Sequence, residues 1–299
     1  MGESIRFLDE AAVRRFLSLE ELIPAVAQGL TALSCGNVVQ PVRVVLPVSE
    51  HQGFFGLMPA YAGSLGAKLV TFYPNNRGVP THHALIVLFH PETGAPSAVM
   101  DGRLITELRT AAASAAATQA LARPDGSILA ILGSGVQAGS HLEALRLVRP
   151  IGEVRVWSPH TADVFAARHK VTAAPSAEAA VRGADIIVVA TSSTTPVLEG
   201  RWISAGAHIN AVGATRPDWR ELDDEVLARS RLFVDSREAG QQESGDVIAA
   251  GRIEAEIGEV LGGSAEGRRS ADEITLFKSV GNAIEDLAAA VHVWKRANG

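Results

Sequence analysis

The sequence predicts an α/β chain in two parts, a sheet-rich α+β part and a parallel sheet flanked by helices, and three observations carry that expectation. From Val38 to Phe89 the short β-branched runs VRVVLPV, FFGLMPA, AKLVTFY and ALIVLFH are set apart by turn clusters such as PNNRGVP, with PETGAP following the last. After Arg123 the pattern becomes strand, helix, strand, helix, through SILAILG, VQAGSHLEALRLV, EVRVWS, TADVFAARH, SAEAAVRGA and DIIVVATS. Strands alternating with helices of this length make right-handed βαβ units and a parallel sheet buried on both faces. Finally, 299 residues with 47% hydrophobic content exceed one typical domain and supply core without disulfides or a structural metal.

Composition excludes several function classes. The formal charge is 27 − 33 = −6, which gives no net pull toward a phosphate backbone, so no nucleic-acid partner is expected and a small anionic ligand fits better. Cys35 is the single cysteine and has no internal disulfide partner. The start, MGESIRFLDEAAVRRFL, mixes acids and arginines and has no continuous apolar stretch, so no secretory leader is expected. The Ala-rich run from Ala111 to Ala122 is short and interrupted by Ser114, Thr118 and Gln119, so no membrane span is expected and the default location is cytoplasmic. The nine histidines show no H-E-x-x-H spacing, and the neighbours His82 and His83 would point to opposite sides of a strand, so no metal site is expected. Neither a G-x-S-x-G elbow nor a phosphate loop ending in Gly-Lys is present.

The elements follow in order. Residues 8 to 33 read as helical, with Leu8-Asp9-Glu10 opening one amphipathic stretch and Ile23 to Leu33 forming a second. The sheet-rich region comes next. Asp101-Gly102 then leads into RLITELRTAAASAAATQALAR, whose alanines and lack of internal Gly or Pro predict a long helix bridging the two parts and ending near Arg123-Pro124-Asp125-Gly126. Beyond the alternating region, AHINAVG and RLFVDS predict further strands with ELDDEVLARS as the helix between them. The stretch from Asp286 to Lys295 is again amphipathic and is expected to return to the first domain.

Gly133-Ser134-Gly135-Val136-Gln137-Ala138 fits G-x-G-x-x-A directly after the apolar strand SILAIL. Gly133 makes the tight turn, Gly135 lets the backbone approach a pyrophosphate, and Ala138 lets helix and strand pack while the helix N-terminus faces the anion. Glycines at such a turn can do no more than turn the chain; here the flanking βαβ context favours a Rossmann dinucleotide-binding domain. At the end of the second strand stand Ser158, Pro159, His160 and Thr161 with no carboxylate, Glu153 being at the opposite end, so NADPH is favoured over NADH. Ala190, Thr191 and Ser192 after one strand, and Val212, Gly213 and Ala214 after another, are expected to line the cofactor crevice.

Cations inside apolar runs pose a separate question. Lys68 alternates with Val70 and Phe72 in AKLVTFY, and Arg43 lies within VRVVL, where an unpaired buried cation would cost several kcal/mol. One resolution is structural, each cation meeting an internal carboxylate or reaching water. The other has them point into a pocket that awaits a substrate carboxylate, with Arg109 at the Ala-rich helix as a third member, since arginine forks pair with carboxylates bidentately and lysine also donates a proton. His82 either faces this pocket or is a hydrogen-bonded structural histidine.

The runs QPVRVVLPV, GLMPAY, AKLVTFY, MDGRLITELRTAAASAAAT, ILGSGVQAGSH, GAHINAVGATRPDWRELDDEVL, VDSREAGQQESGDV and TLFKSVGNAIED resemble the ornithine cyclodeaminase/mu-crystallin family, on the side of its mu-crystallin-type ketimine reductases. The resemblance covers nearly the whole chain. It implies a homodimer, a substrate-binding and dimerisation domain over 1–112 with 276–299, and a Rossmann NAD(P)-binding domain over 113–275. It also implies that Arg43, Lys68 and Arg109 hold a substrate carboxylate and that Ser279-Val280-Gly281 lies near the nicotinamide; His82 is expected to aid substrate binding by a hydrogen bond, and Thr110 to lie on the cofactor side. Cyclodeaminases carry Gly-Asp where Ala214-Thr215 stands, and Asp218 comes three residues later, which puts cyclodeamination in doubt. Pro159 replaces an arginine of mu-crystallin-like relatives. The expected activity is NAD(P)H-dependent reduction of cyclic ketimine carboxylates, such as pyrroline-2-carboxylate or piperideine-2-carboxylate, with Lys68, Arg109 and Thr215 in catalytic roles. The alternatives are an ornithine cyclodeaminase or alanine dehydrogenase-like activity, or a non-catalytic protein that binds NADPH or a small ligand.

Overall fold

The computed structural model describes residues 5–298, so the first four residues of the N-terminal stretch lie outside it. The chain divides into two compact units, Met1–Arg109 with Asn282–Gly299, and Thr110–Gly281. The second unit takes in residues 110–112 and 276–281, which the sequence boundaries group with the first.

The first unit begins with strand β1 (Arg6–Leu8), helix α1 (Glu10–Phe16) and helix α2 (Leu19–Ser34). The expected helical region from residue 8 is therefore broken twice. Leu8 pairs with Met100 in a strand, and Asp9 and Ser18 each cap a helix by accepting a backbone N–H, from Ala12 at 2.9 Å and Glu21 at 3.4 Å. The sheet continues through β2 (Val44–Val48), β3 (Gly53–Tyr61), β4 (Leu65–Phe72), β5 (His82–Phe89) and β6 (Pro96–Asp101). Its order is β1-β6-β5-β4-β3-β2, with β1 parallel to β6 and the other pairs antiparallel. The strand β2 starts at Val44, so Arg43 stands just ahead of it and not within it. Register sets Met58, Lys68, Ile86 and Met100 side by side across four strands, and all four are buried. Helix α3 (Arg103–Leu121) follows, and the boundary between units falls inside it.

In the second unit, Ala111 to Ala117 of α3 are all wholly buried, which suits a run of small side chains that must pack on every side. After it come β7 (Ile128–Leu132), α4 (Val136–Val148), β8 (Glu153–Trp157), α5 (Ala162–His169), β9 (Thr172–Ala173), α6 (Ala177–Val181), β10 (Ile186–Val189) and β11 (His208–Ala211). Then follow α7 (Asp224–Arg229), β12 (Ser230–Val234), α8 (Arg237–Glu243), α9 (Gly245–Ala250), β13 (Ala255–Glu256), α10 (Ile257–Leu261) and β14 (Ile274–Lys278). All pairs are parallel, in the order β13-β12-β14-β11-β10-β7-β8-β9. Alternation splits β7 and β10 between two cores, Leu129, Ile131, Ile186 and Val188 on one face and Ala130, Leu132, Ile187 and Val189 on the other. The strand order reverses at β7, whose neighbours are β8 and β10, so the crevice for a ligand opens at the C-terminal ends of these strands.

Helix α11 (Ala283–Asn298) belongs to the first unit and packs on α2 and on β3, β4 and β5. Its start is fastened from two sides: Gln40 accepts the Ile284 N–H and donates to Asn282 Oδ1, both at 2.9 Å, while Glu285 accepts the Asn282 N–H at 2.9 Å. Gly66 of β4 makes the close approach, since a Cβ there would press on the Val87 carbonyl and on Leu287 of α11.

Candidate functional site

In the first unit, the first turn of α11 delivers two acids to the buried sheet face that carries Lys68. Lys68 Nζ lies 2.6 Å from Asp286 Oδ2. Arg109 spans both acids, with Nε 3.0 Å from Asp286 Oδ1 and Nη1 2.8 Å from Glu285 Oε2. All four side chains are buried. Burial lowers the Lys68 pKa to about 8; the attraction of Asp286 opposes the fall, and the charges of Arg109 and Arg43 deepen it. Arg43, half-buried, thus lies within electrostatic reach of the ammonium.

Of the two resolutions open for the cations, the structure realises internal pairing for Lys68 and Arg109. Carboxylates stand among the cations, as a site that must tolerate an iminium requires. Three positive groups gather around two carboxylates. His82 opens β5 on the same face, its ring 4.5 Å from that of Phe72. Desolvation there, then the Lys68 charge, lower its pKa, so the imidazole is neutral at pH 7.

In the second unit, the turn after β7 has the form a dinucleotide requires. Gly133 sits at φ 112°, and a Cβ there would collide with the Ala190 carbonyl. Gly135 is the N-cap of α4 and has open space where a Cβ would stand, and no side chain caps the helix. The first-turn N–H groups of Val136 and Gln137 therefore face an anion site, beside which the Gln137 Oε1 is buried and lacks a hydrogen-bond donor. The residues fit a pyrophosphate.

At the end of β8, Ser134 Oγ donates to Ser158 Oγ at 2.8 Å and lies 2.6 Å from Thr161 Oγ1, so three hydroxyls fill the corner where an acid or an arginine commonly stands. His160 is exposed beside them, and Glu153 pairs with Arg155 at the far end of the strand. Thr191 is half-buried and Ser192 exposed after β10; Val212 and Gly213 are half-buried, Ala214 buried and Thr215 exposed after β11. Thr110 is buried in α3. The loop Ser279-Val280-Gly281 hangs on one carboxylate, Asp235 Oδ2, which accepts the Ser279 hydroxyl and the Val280 and Gly281 N–H groups at 2.7 to 2.9 Å.

Several functional candidates escape sequence reasoning: Glu285 and Asp286, and in the second unit Asp235, Glu221, Asp246 and Lys278. The acids of α11 look like ordinary first-turn acids of an amphipathic helix. Lys278 was the better clue, as a lysine inside the apolar run ITLFK, now strand β14 between β11 and β12.

The comparisons agree with this geometry. Residues 4–299 match the model of the ornithine cyclodeaminase/mu-crystallin family. The chain is 47% identical over 309 residues to a ketimine reductase mu-crystallin of Macropus fuliginosus, covering 98% of each. Among solved structures it is similar to the Thermococcus litoralis Delta(1)-pyrroline-2-carboxylate reductase in complex with NADH and L-proline, with TM-score 0.93, 39% identity and 98% of each chain covered. It is equally similar in fold to an archaeal alanine dehydrogenase dimer with bound NAD, with TM-score 0.93, 36% identity, and 98% of this chain and 96% of that one covered. This chain is a member of the ornithine cyclodeaminase/mu-crystallin family, an α/β oxidoreductase fold with a nicotinamide-binding Rossmann unit.

Proposed function

We propose that the chain reduces cyclic ketimine carboxylates, of the pyrroline-2-carboxylate or piperideine-2-carboxylate type, with a reduced nicotinamide dinucleotide. The observation that carries this reading is the cluster in which Lys68 and Arg109, with Arg43 in electrostatic reach, gather around Glu285 and Asp286, cations of the kind that bind a substrate carboxylate. The reductases among its relatives support it.

The dinucleotide, when bound, supplies the hydride that reaches the C=N carbon. Gly133, Gly135 and the N-terminus of α4 would hold its pyrophosphate. Arg109, its guanidinium fixed from behind by two carboxylates, orients the substrate carboxylate together with Arg43. Lys68, with a pKa of about 8, is largely protonated at pH 7 and close enough to neutrality to give up a proton. Its proton goes to the imine nitrogen, so that hydride at carbon and proton at nitrogen together make the amine, and solvent restores the ammonium. Asp286 and Glu285 temper the positive field that would otherwise oppose an iminium. His82 and Thr215 would add hydrogen bonds.

For the cofactor, the hydroxyl corner of Ser134, Ser158 and Thr161, free of any carboxylate, supports NADPH over NADH as the preferred form, with NADH also accepted. The setting we propose is a cytoplasmic homodimer with no nucleic-acid or membrane partner. No single helix among the described residues is long and apolar enough to cross a membrane, and exposed Val44, Val45 and Leu46 on the edge strand β2 support a subunit interface.

A ketimine panel tests the reading. Cyclic ketimines should consume the reduced-nicotinamide absorbance, with a higher kcat/KM for NADPH than for NADH. Ammonia release from ornithine, turnover of alanine alone, or cofactor binding without consumption would each replace it with one of the alternatives.

A further inference from the structure

Beneath the crevice of the second unit lies a buried ionic group that the proposed reaction does not use. Lys278 at the end of β14 has no exposure and donates to the Gly213 carbonyl after β11. Its Nζ is 3.4 Å from Asp246 Oδ2 of α9 and 3.9 Å from Glu221 Oε2. Glu221 is also without exposure, and its Oε1 accepts both the backbone N–H of Thr191 at 2.8 Å and its hydroxyl at 2.7 Å. The same carboxyl lies so close under Gly213 that a Cβ there would collide with it. Asp246 in turn accepts the N–H groups of Glu221 and Leu222, at 3.1 and 3.2 Å. One carboxyl therefore joins the loops after β10 and β11 to the end of β14.

These loops flank one half of the dinucleotide. With the adenosine corner at the end of β8 and the pyrophosphate turn after β7, the second nucleoside lies over β10 and β11. We propose that Glu221 is a positioning residue for the nicotinamide half, tying Thr191, Gly213 and Lys278 into one rim and, through its own ionisation, setting how strongly that rim holds the oxidised cofactor relative to the reduced one. This rests on the reading that the second unit holds a nicotinamide dinucleotide.

The charges around Glu221 fit that role. Lys278 faces it from β14 and Asp246 from α9; Arg220, whose Nε is 3.9 Å from Asp246 Oδ1, also bonds Asp224 at 2.7 Å. Burial is the main cause that pushes Glu221 up to about 7, and Asp246 adds to the rise, against the pull of Lys278 and Thr191. The oxidised ring carries a positive charge and the reduced ring none, so an ionised Glu221 favours the oxidised form. By linkage, oxidised cofactor favours release of the Glu221 proton.

The test measures dissociation constants of the full chain for NADPH and NADP⁺ between pH 6 and 8.5, by nicotinamide fluorescence and competition. The ratio of the NADPH constant to the NADP⁺ constant should rise about tenfold with pH. His160 at the adenosine corner acts on both forms alike and cancels. Glu221→Gln should flatten the ratio, a change that a merely structural bond would not produce. Should that variant fail to fold, Thr191→Val, which removes one donor that stabilises the carboxylate, should move the midpoint upward. A flat ratio in the wild-type chain, or an unchanged slope in Glu221→Gln, overturns the proposal. Failure of both nucleotides to bind at any pH would overturn the reading beneath it, and this one with it.

Discussion

Each unit buries an ionic cluster, the first built around a lysine and the second around a glutamate. In the first, Lys68, Arg109 and Arg43 surround Glu285 and Asp286; in the second, Lys278 serves both Glu221 and Asp246. Neither is an economical way to stabilise a fold, because desolvation cancels most of the attraction between buried charges. Burial shifts one member of each toward neutrality, Lys68 down to about 8 and Glu221 up to about 7. The result is one proton-exchanging group in each unit, poised near physiological pH. The cluster around the lysine suits an anionic substrate, and the one around the glutamate suits a cofactor ring that becomes cationic on oxidation.

The largest expected effect breaks the cluster around Lys68. Lys68→Met should lower kcat/KM for a cyclic ketimine by about 10² to 10³-fold, since it removes both a carboxylate ligand and the proposed proton source. Affinity for NADPH should change less than about twofold. Asp286 keeps Arg109 at 3.0 Å, so no acid is left unpaired and the variant should fold. In the wild-type chain, kcat/KM should fall as pH rises through about 8, where Lys68 loses its proton. Wild-type turnover by Lys68→Met would leave the cluster with a structural role alone.

How much of this was legible in the sequence differs between the clusters. Lys68 stood out because a cation on an apolar strand face demands an explanation, and the Gly133-to-Ala138 turn was legible because every residue of that motif acts locally. The partners were not. Arg109 and Asp286 are 177 residues apart, and nothing in the local pattern of either distinguishes a helix acid that faces a core from one that faces water. Glu221 sits in the polar run WRELDDE, which reads as solvated surface, yet it is wholly buried. The strand β14 was missed as a strand for a related reason: ITLFK is short and buried throughout, so it shows no alternation to read. The breaks at Asp9 and Ser18 inside the expected helical region were not read as caps, and the short strand β1 before them depends on β6, far along the chain.

A smaller effect sharpens the comparison through stability. Between its ordinary 4.5 and about 7, Glu221 keeps a proton in the folded chain that the unfolded chain has lost. Folded stability from this group is therefore full below about 4.5 and declines as pH rises to about 7. Lys68 has the opposite sign: its lowered pKa makes stability rise between about 8 and 10.5. Glu221→Gln cannot ionise, so in urea unfolding it should match the wild type near pH 4 and exceed it at pH 8 by on the order of 1 to 3 kcal/mol. Equal stability at both pH values would mean that Lys278 and Arg220 fully compensate the two carboxylates.

The smallest effect separates the geometry of the second rim from its charge. Ala214 adopts φ 49° and is buried, whereas the other non-glycine residues of positive φ among the described residues, Gln52 and Lys170, are exposed at the ends of helical turns. A left-handed alanine costs about 1 kcal/mol, which Ala214→Gly would relieve, while the greater freedom of glycine in the unfolded chain and the lost methyl group take part of that back. The net gain should be below about 1 kcal/mol, a rise in Tm of about 2 °C or less. Because Ala214 carries no charge, the variant should shift the affinities for NADPH and NADP⁺ together and leave the pH slope of their ratio as in the wild type. A changed slope would show that the ratio follows the shape of the loop after β11, and would take from Glu221 the electrostatic role that sets the two clusters apart.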